Sequence, residues 1–383
     1  MNMRKSFLAL GVFLGSFGLY LATMPPTLAP YRDAGEMGVS TYSLGISHPP
    51  GYPVYVLAAH AAAGLTPFGT HAWRLNILSA LCGAGALAAI FLILEPAAGA
   101  LGALACVLFL AFDSTFWNVC GVQEMYSLTL LFAVLLLGLA LRLRAAFTPR
   151  TWLCFCLAYG LFLGNRTDLL LWAPGLLWLS LSRGALGRGA WPREEPWSFL
   201  ALSCAFGLLG LCVYLYLPFR SMRGPWLDWN HPATLANFIG SLTRRGYGGT
   251  LDLLSKSYAS GTMFLPNLEV YARHLQANFG LPGLALAAAG VWSGWRSERS
   301  RLGGEGVLFL AAGPVFLYLA NMPPNPHALA IVEPHYLLAD LVLALWAGRG
   351  AAALGRARWS GEAAAPYAEG ARPRFGDGRP WAA

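Results

Sequence analysis

The chain has 383 residues, of which 56% are hydrophobic and 11% charged, and its formal net charge is +8. This composition excludes an ordinary soluble enzyme and is typical of a polytopic membrane protein. The positive charge does not indicate nucleic-acid binding, because the arginines form short clusters between apolar segments and not one basic stripe with interleaved aromatic residues.

The chain begins with a short basic stretch that is followed by an apolar run over residues 6–24. No small-residue cleavage site follows this run, and it is long enough to span a bilayer. We therefore interpret it as an uncleaved first helix and not as a signal peptide. Six of the seven cysteines lie inside apolar runs, and their number and spacing indicate neither a disulfide framework nor a metal site.

Ten apolar segments predict an all-α polytopic protein with a bundle of about ten transmembrane helices. They cover residues 6–24, 75–94, 97–112, 126–141, 152–163, 169–181, 199–217, 281–295, 307–320 and 336–347. Several are shorter than the roughly 20 residues that a perpendicular helix needs to cross a bilayer. If the amino terminus is cytoplasmic, 17 of the 26 lysines and arginines lie on the cytoplasmic side, which supports this orientation.

We predict a single transmembrane domain over residues 1–355, with two long outer segments at residues 25–74 and 218–280. Within the first outer segment, Val54–Leu65 is apolar but too short to cross a bilayer, which predicts a helix at the outer membrane interface. Residues 356–383 are rich in Gly, Ala, Pro and Arg without apolar periodicity. They predict a disordered cytoplasmic tail.

The first outer segment carries two carboxylates and a histidine in a chain with little other charge. Asp33 and Glu36 are three residues apart, so they share a face if the chain turns helically there. His48 lies in the sequence SHPPGYP, whose prolines stiffen the backbone on which it is mounted. Two plainer interpretations stay open, namely a solvated acidic loop and prolines that only start the interfacial helix.

Further polar groups lie at the ends of the apolar segments. On the outer side these are Asp113, Gln123, Glu124 and the stretch Asn165–Asp168. Ionisable residues at membrane depth are costly, and they are tolerated where they face a polar cavity or one another. Since none lies at the centre of a predicted span, their positions favour chemistry at the outer surface over transport across the midplane.

The second outer segment combines basic, acidic and aromatic residues. The candidate binding residues there are Arg220, Asp228, Arg244, Arg245 and Tyr247. The planar guanidinium group suits a phosphate oxyanion, and aromatic rings suit both the membrane interface and the faces of sugars. For any one of these arginines, a solvated position beside the membrane is an equally good interpretation.

Several of these motifs together resemble a known family. In chain order they are DAGEMGVSTYSLGISHPPGYPVY, RLNILSAL, FWNVCGVQEMYSL, YGLFLGN, YLPFRS, DWNHPATLANFIGSLTRRGYGG and EPHYLLADLVLALWAG. They resemble bacterial relatives of the plexin-domain protein O-mannosyltransferases, which belong to the GT-C superfamily of polytopic glycosyltransferases. The resemblance covers residues 1 to about 350, and its specific part is the pairing of Asp-x-Gly-Glu with His-Pro-Pro-Gly-Tyr-Pro.

The resemblance implies a membrane glycosyltransferase with a GT-C-like bundle. Such an enzyme transfers a hexose, here mannose, from a polyprenyl-phosphate donor to an acceptor hydroxyl on the non-cytoplasmic face, with inversion. Carried over by position, Asp33 is the catalytic base, Glu36 is its acidic neighbour, and His48 and Tyr52 lie on the adjoining motif. The expected partners are the lipid-linked donor, a protein, lipid or glycan acceptor, and membrane lipids.

The residues suggest the same chemistry without the family. A carboxylate such as Asp33 can take the proton of an attacking hydroxyl, and Arg220, Arg244 or Arg245 can stabilise a departing phosphate. Glu124 is a candidate to bind the acceptor or support the base. We expect neither a cofactor nor a metal, because arginine can neutralise a monophosphate, although the carboxylates and His48 offer ligands for a divalent cation.

Two other classes of function remain open from the sequence. A transporter or lipid flippase for a polyprenyl-linked or glycan substrate would also need about ten spans, and would be expected to carry broken helices with charges near the midplane. A non-catalytic scaffold would not explain the polar groups on one face. The composition suggests a bacterial source, and hence a cytoplasmic-membrane protein with its active site facing outward.

Overall fold

The computed structural model of the chain describes residues 3–29, 32–182, 195–247 and 258–359, with only the backbone for residues 357–359. The α-helices in these ranges are α1 Met3–Thr23, α2 Ala34–Ser43, α3 Pro53–Leu65, α4 His71–Ala111, α5 Ser114–Gly121, α6 Tyr126–Ala145, α7 Pro149–Leu163, α8 Ala173–Leu181, α9 Pro196–Leu211, α10 Tyr216–Ser221, α11 Leu235–Leu242, α12 Phe264–Ser297, α13 Arg299–Leu310, α14 Phe316–Ala320, α15 Pro326–Val332 and α16 Leu337–Trp359.

The fold is all-α, as predicted. Over the described ranges the β structure amounts to a single isolated bridge between Ile46 and Asp228. Within the described ranges, six helical stretches are long and apolar enough to cross a membrane, namely Met3–Thr23, His71–Ala111, Tyr126–Ala145, Pro196–Ser221, Arg299–Ala320 and Leu337–Arg356. The ten apolar segments are helical over nearly all of their length, although residues 169–181, 199–217 and 307–320 each combine α-helix with 3₁₀- or π-helical turns. Residues 54–65 lie within α3.

The helices depart from the predicted segments where glycine and proline change the backbone. α4 joins two predicted spans and bends at Gly99, which has φ 69°, close to Pro96. α12 bends in the same way at Gly280, next to Pro282, so its first limb replaces the last part of the outer segment predicted over residues 218–280. Proline lacks an amide proton, and glycine tolerates positive φ, so such sites interrupt a helix without ending it.

The carboxyl-terminal boundary also differs from the prediction. α16 continues to Trp359, so the first residues of the predicted tail are helical. Residues 360–383, which make up the rest of that tail, lie outside the described residues. The domain boundaries and the count of ten spans stay predictions, since length and composition alone select six helices.

Small residues bring the helix backbones close together. A Cβ atom at Gly290 in α12 would overlap the carbonyl oxygen of Trp346, and one at Gly350 in α16 would overlap that of Leu286. A Cβ atom at Gly160 in α7 would likewise overlap the carbonyl oxygen of Gly207 in α9. Small residues at helix interfaces are the usual means of close packing in membranes.

Gly290→Ala is therefore expected to lower the thermal unfolding midpoint of the purified protein. The added methyl group has no room between α12 and α16, and overpacking of this kind costs about 1–3 kcal/mol. Gly18→Ala is the matched control, because a Cβ atom at Gly18 in α1 meets no atom within 4 Å. Equal midpoints for the two variants would show that the α12–α16 contact is not tightly packed.

Candidate functional site

Asp33 occupies the N-cap position of α2, but its side chain does not cap the helix. Its side chain makes no capping hydrogen bond to the helix, although aspartate at this position usually accepts one. The side chain is 39% exposed, and its Oδ2 atom lies 4.0 Å from His48 Nε2. Glu36 lies in the first turn of the same helix, as the predicted shared face requires. The Asp33 carboxylate is therefore left available to a ligand.

Glu36, His48 and Tyr52 form a chain of hydrogen bonds beside Asp33. The Glu36 carboxylate accepts from the backbone amide of His48 through Oε1, and its Oε2 atom lies 2.9 Å from His48 Nδ1. His48 Nε2 lies 2.8 Å from the Tyr52 hydroxyl. With Glu36 as a carboxylate, Nδ1 carries a proton, and a neutral ring then accepts the tyrosine proton at Nε2. The orientation of the imidazole is thus fixed at both nitrogens.

The SHPPGYP motif contains two successive residues with positive φ. Gly51 has φ +91°, and Tyr52 follows with φ +44° before Pro53 starts α3. A Cβ atom at Gly51 would also lie 2.7 Å from a side-chain carbon of Leu217 in α10. The motif therefore both turns the chain and allows a close approach of α10, which supports the predicted rigid mount for His48.

Glu124 holds the segment that precedes α2. Its Oε1 atom accepts from the backbone amide of Asp33 at 3.2 Å, and its Oε2 atom lies 3.7 Å from Arg32 Nη1. The Glu124 side chain is fully buried. Burial raises the pKa of Glu124 to about 8, and the nearby Arg32 charge only partly opposes this effect. Glu124 thus supports the backbone of the candidate base, as one of its two predicted roles requires.

The raised pKa of Glu124 predicts a pH dependence of stability. The folded chain holds this proton more tightly than the unfolded chain, so the stabilisation is complete below pH 4.5 and is lost as the pH rises to about 8. The unfolding midpoint of the wild type, relative to Glu124→Gln, is expected to fall across this window and to level off above it. Exposed Glu269 provides the control variant Glu269→Gln, which should follow the wild type; a flat difference for Glu124→Gln would contradict the assignment.

Three cationic or imidazole side chains form a second group, which reaches Tyr52 through the charges of Arg166 and Arg244. Arg166 follows α7, and its Nε donates to Asp168 Oδ2 at 3.0 Å, while its Nη2 lies 2.6 Å from His335 Nε2. The Arg166 guanidinium also lies over the Tyr126 ring, 4.3 Å from its centroid. Arg244, from the segment after α11, is buried and lies 5.6 Å from the centroid of Tyr247.

The effects of these charges on the pKa values of neighbouring side chains show that the groups lie close together. Burial, and then the charges of Arg166 and Arg244, hold the pKa of His335 well below its usual range. Burial raises the pKa of Tyr52, and the charges of Arg166, Arg244 and Asp33 all reach its phenol. His335 donates from Nδ1 to the Ile331 carbonyl, so its Nε2 is the acceptor for Arg166. His335 thus accepts from Arg166 as a neutral imidazole, and the charges close to it are those of Arg244 and of Arg166, which pairs with Asp168.

The structure brings together only some of the predicted residues of the second outer segment. Arg244 and Tyr247 reach the site, and the Tyr247 ring lies 6.1 Å from that of His48. Arg245 is exposed. Arg220 donates instead to the carbonyl oxygens of Leu44 and Ser43 at 2.7 and 2.9 Å, which caps the end of α2. Asp228 accepts from Ser221 at 2.9 Å and lies 2.6 Å from His231 Nδ1.

Sequence reasoning missed His335 and gave Arg166 no specific role. Both side chains are buried, and they meet although 169 positions separate them in the chain. The available signals were the charged residues of GNRTD at the end of an apolar segment and the histidine of EPHY at the start of the last one. Neither signal indicates that the two segments lie side by side in the fold.

Two further features of the site bear on what it can bind. Ligand atoms of Asp33, Glu36 and His48 all lie within 4.8 Å of one another, so these residues could hold a divalent cation. An open groove of about 500 Å³ runs along the bundle, lined by apolar side chains that include Leu170, Leu211 and Phe238. Thr167, next to Arg166, and Leu242, two residues before Arg244, also line this groove. Residues close in sequence to Arg166 and Arg244 therefore line this groove.

The chain is similar in sequence to curated protein O-mannosyl-transferases. Residues 33–186 match the family model for the N-terminal domain of protein O-mannosyl-transferase TMEM260. Over 365 residues the chain is 30% identical to Protein O-mannosyl-transferase TMEM260 of Mus musculus, which covers 90% of this chain and 49% of the mouse protein. The corresponding protein of Dictyostelium discoideum is 26% identical over 314 residues, covering 76% of this chain and 37% of that protein. The chain thus spans about half, or less, of these relatives.

A solved structure supports the fold. ArnT from Cupriavidus metallidurans, crystallised with undecaprenyl phosphate, superposes with a TM-score of 0.57 at 14% identity, covering 91% of this chain and 60% of ArnT. At this identity the likeness concerns the fold. The chain is thus similar in sequence to the TMEM260 protein O-mannosyl-transferases over part of their length, and it shares the fold of ArnT.

Proposed function

We propose that the chain is an inverting membrane glycosyltransferase that moves a hexose, most simply mannose, from a polyprenyl-phosphate donor to an acceptor hydroxyl. The observation that carries the proposal is that the uncapped Asp33 carboxylate and the charges of Arg166 and Arg244 all reach one group, the Tyr52 phenol of the Glu36–His48–Tyr52 network. A base and an anion-binding group in one site are what a displacement at a sugar phosphate requires.

Asp33 is the proposed base. The acceptor oxygen attacks the anomeric carbon from the face opposite the phosphate, and its proton passes to an Asp33 carboxylate oxygen. The bond between the anomeric carbon and the phosphate oxygen breaks, and its electron pair leaves with the phosphate. One displacement inverts the anomeric configuration. His48 Nε2 lies 4.0 Å from the Asp33 carboxylate, and the contacts of His48 with Glu36 and Tyr52 hold the ring in that position.

The leaving phosphate is assigned to the guanidinium groups of Arg166 and Arg244. Both are buried, so their attraction to an anion is screened less than at an exposed surface. The neutral His335 holds Arg166, and the Asp168 carboxylate offsets part of the Arg166 charge. The apolar groove, which is lined by residues close in sequence to both arginines, fits a polyprenyl tail, and the undecaprenyl phosphate named for the ArnT structure is a ligand of this chemical class.

The acceptor follows from the names of the curated relatives, which are protein O-mannosyl-transferases. We therefore infer a protein Ser or Thr hydroxyl as the acceptor, with a lipid or glycan hydroxyl as the alternative outcome of an assay. The six membrane-length helices support an integral membrane protein. A bacterial cytoplasmic membrane, with the site facing outward, is the proposed location.

The proposal is tested by incubating the protein in nanodiscs with radiolabelled polyprenyl-phosphate mannose and a membrane-plus-periplasm extract. Label transferred to a protein fraction is the expected result, and the labelled species identifies the acceptor. Donor that crosses the membrane of proteoliposomes unchanged, with no transfer, would favour a transporter instead. Absence of binding with mannose and other polyprenyl-phosphate sugars would overturn the proposal.

A further inference from the structure

A second polar cluster lies away from Asp33, at the junction of α4 and α5 with the bent helix α12 and the start of α16. It contains Asp113, His274 and Asp340, whose ligand atoms all lie within 4.8 Å of one another. His274 Nε2 lies 2.8 Å from Asp340 Oδ2 and 3.7 Å from Asp113 Oδ2. The three residues come from parts of the chain that are far apart in sequence.

One member of this cluster is buried with an unused acceptor. The Asp113 side chain is fully buried, and its Oδ2 atom has no hydrogen-bond partner within the described residues. Its other oxygen, Oδ1, accepts from the backbone amides of Thr115 and Phe116 at 2.9 Å, which fixes the carboxylate plane. A buried carboxylate oxygen normally has a partner, because leaving it unpaired is costly. Oδ2 points into the cluster, towards His274.

The other two residues are also held by contacts that leave one atom each facing the centre. The Tyr271 hydroxyl donates to Asp340 Oδ1 at 3.0 Å, so Oδ2 is the oxygen that faces His274. The Asn278 amide lies 3.1 Å from His274 Nδ1, which leaves Nε2 facing both carboxylates. Asp340 is thus held by a second partner on its remaining oxygen, as metal ligands typically are. A metal on His274 Nε2 requires the ring proton on Nδ1, so the Asn278 side chain must then present its oxygen to the ring.

We propose that Asp113, His274 and Asp340 form a binding site for a divalent transition metal, with Zn²⁺ as the best match. Zinc bonds of about 2.0–2.2 Å place tetrahedral ligands about 3.4 Å apart, close to the separations of 2.8 and 3.7 Å found here. One imidazole nitrogen and two carboxylate oxygens leave a fourth position for water. On binding, His274 Nε2 would bond the metal while the neutral ring keeps its proton on Nδ1, and the metal charge would neutralise the two buried carboxylates.

The site would connect three parts of the bundle. Asp113 lies between α4 and α5 and caps α5, whereas His274 and Asp340 belong to α12 and α16. Asp340 also lies five residues after His335, on the helix that begins directly after the turn Glu333–His335. A bound metal would therefore fix the start of α16 and, through it, the turn that carries His335.

The test measures bound zinc in the full chain, purified in nanodiscs, stripped with a chelator and then dialysed against Zn²⁺. Asp113→Asn and Asp340→Asn should each lower the metal content by one equivalent per chain and abolish the zinc-dependent rise in the unfolding midpoint. Asparagine at position 113 can still cap α5 through its side-chain oxygen, so this variant is expected to fold. Glu36→Gln, in the other acidic cluster, is the matched control and should keep that equivalent.

X-ray absorption at the zinc edge provides a readout that protein folding does not affect. The difference between the wild type and Asp113→Asn should correspond to a zinc ion with nitrogen and oxygen neighbours only, although the chain has seven cysteines. A wild type that binds no zinc would overturn the proposal. An equivalent that is lost in Glu36→Gln but retained in Asp113→Asn, or a sulfur-bound zinc, would also overturn it.

Discussion

Asp33→Asn is expected to reduce sugar transfer by about 10²–10⁴-fold, the range usually supplied by a general base. Asparagine keeps the size of the side chain but cannot take the proton of the attacking hydroxyl. Because the Asp33 carboxylate makes no capping hydrogen bond in α2, its loss should leave folding and donor binding nearly unchanged. The measurement is initial transfer rate at saturating donor, with the unfolding midpoint recorded for each preparation.

Glu269→Gln is the matched control for this substitution. It exchanges the same functional groups at an exposed position of α12 whose carboxylate pairs only with Arg273 within the described residues. It should keep the wild-type rate. Full activity in Asp33→Asn would show that another group accepts the proton. Loss of activity together with loss of the folded protein would show that Asp33 is structural.

Arg244→Gln is expected to lower transfer by about 10²–10³-fold, as the removal of a single preorganised donor to a developing oxyanion does. Arg244 is buried, and its charge reaches both Tyr52 and His335, so it lies where the phosphate is assigned. The leaving phosphate gains charge as the glycosidic bond breaks, and Arg244 is proposed to stabilise that charge. The rate constant is therefore expected to change more than the donor affinity.

The adjacent residue provides the control for Arg244. Arg245→Gln removes the same group one position later in the chain, where the side chain is exposed. This variant should retain transfer within about a factor of three, since substitutions at exposed positions usually have small effects. Equal losses for the two variants would indicate that the segment as a whole attracts the donor through its net charge. A loss confined to Arg245→Gln would contradict the structural assignment.

The fold could be predicted from the sequence because its main signal is local. Each apolar run had to form a helix to satisfy its backbone in a membrane, and the predicted runs are helical over nearly all of their length. The continuity of the helices was harder to predict. α4 continues from one predicted segment into the next and bends at Gly99, and α12 begins before its predicted segment and bends at Gly280. In both places the helix resumes after the bend.

In the candidate site too, contacts within one short motif could be predicted from the sequence, and contacts between distant helices could not. Asp33, Glu36, His48 and Tyr52 lie within 20 positions of one another, and their contacts follow from one short motif. Arg166 and His335 meet only through the packing of distant helices, which a single sequence does not encode in any local pattern. The sequence also could not predict which of two neighbouring side chains is buried, since nothing in the pair Arg244–Arg245 distinguishes the two arginines.

The hydrogen bonds at the carboxyl-terminal end of α2 determine when this segment can fold during synthesis. Arg220 binds the carbonyl oxygens of Ser43 and Leu44, which precede it by 177 and 176 positions. Ile46 exchanges backbone hydrogen bonds with residues 227 and 229. During synthesis, residues 33–46 therefore leave the ribosome long before the residues that hold them. These contacts can form only after residue 229 has emerged, so a nascent chain whose first helices are already inserted in the membrane still lacks them.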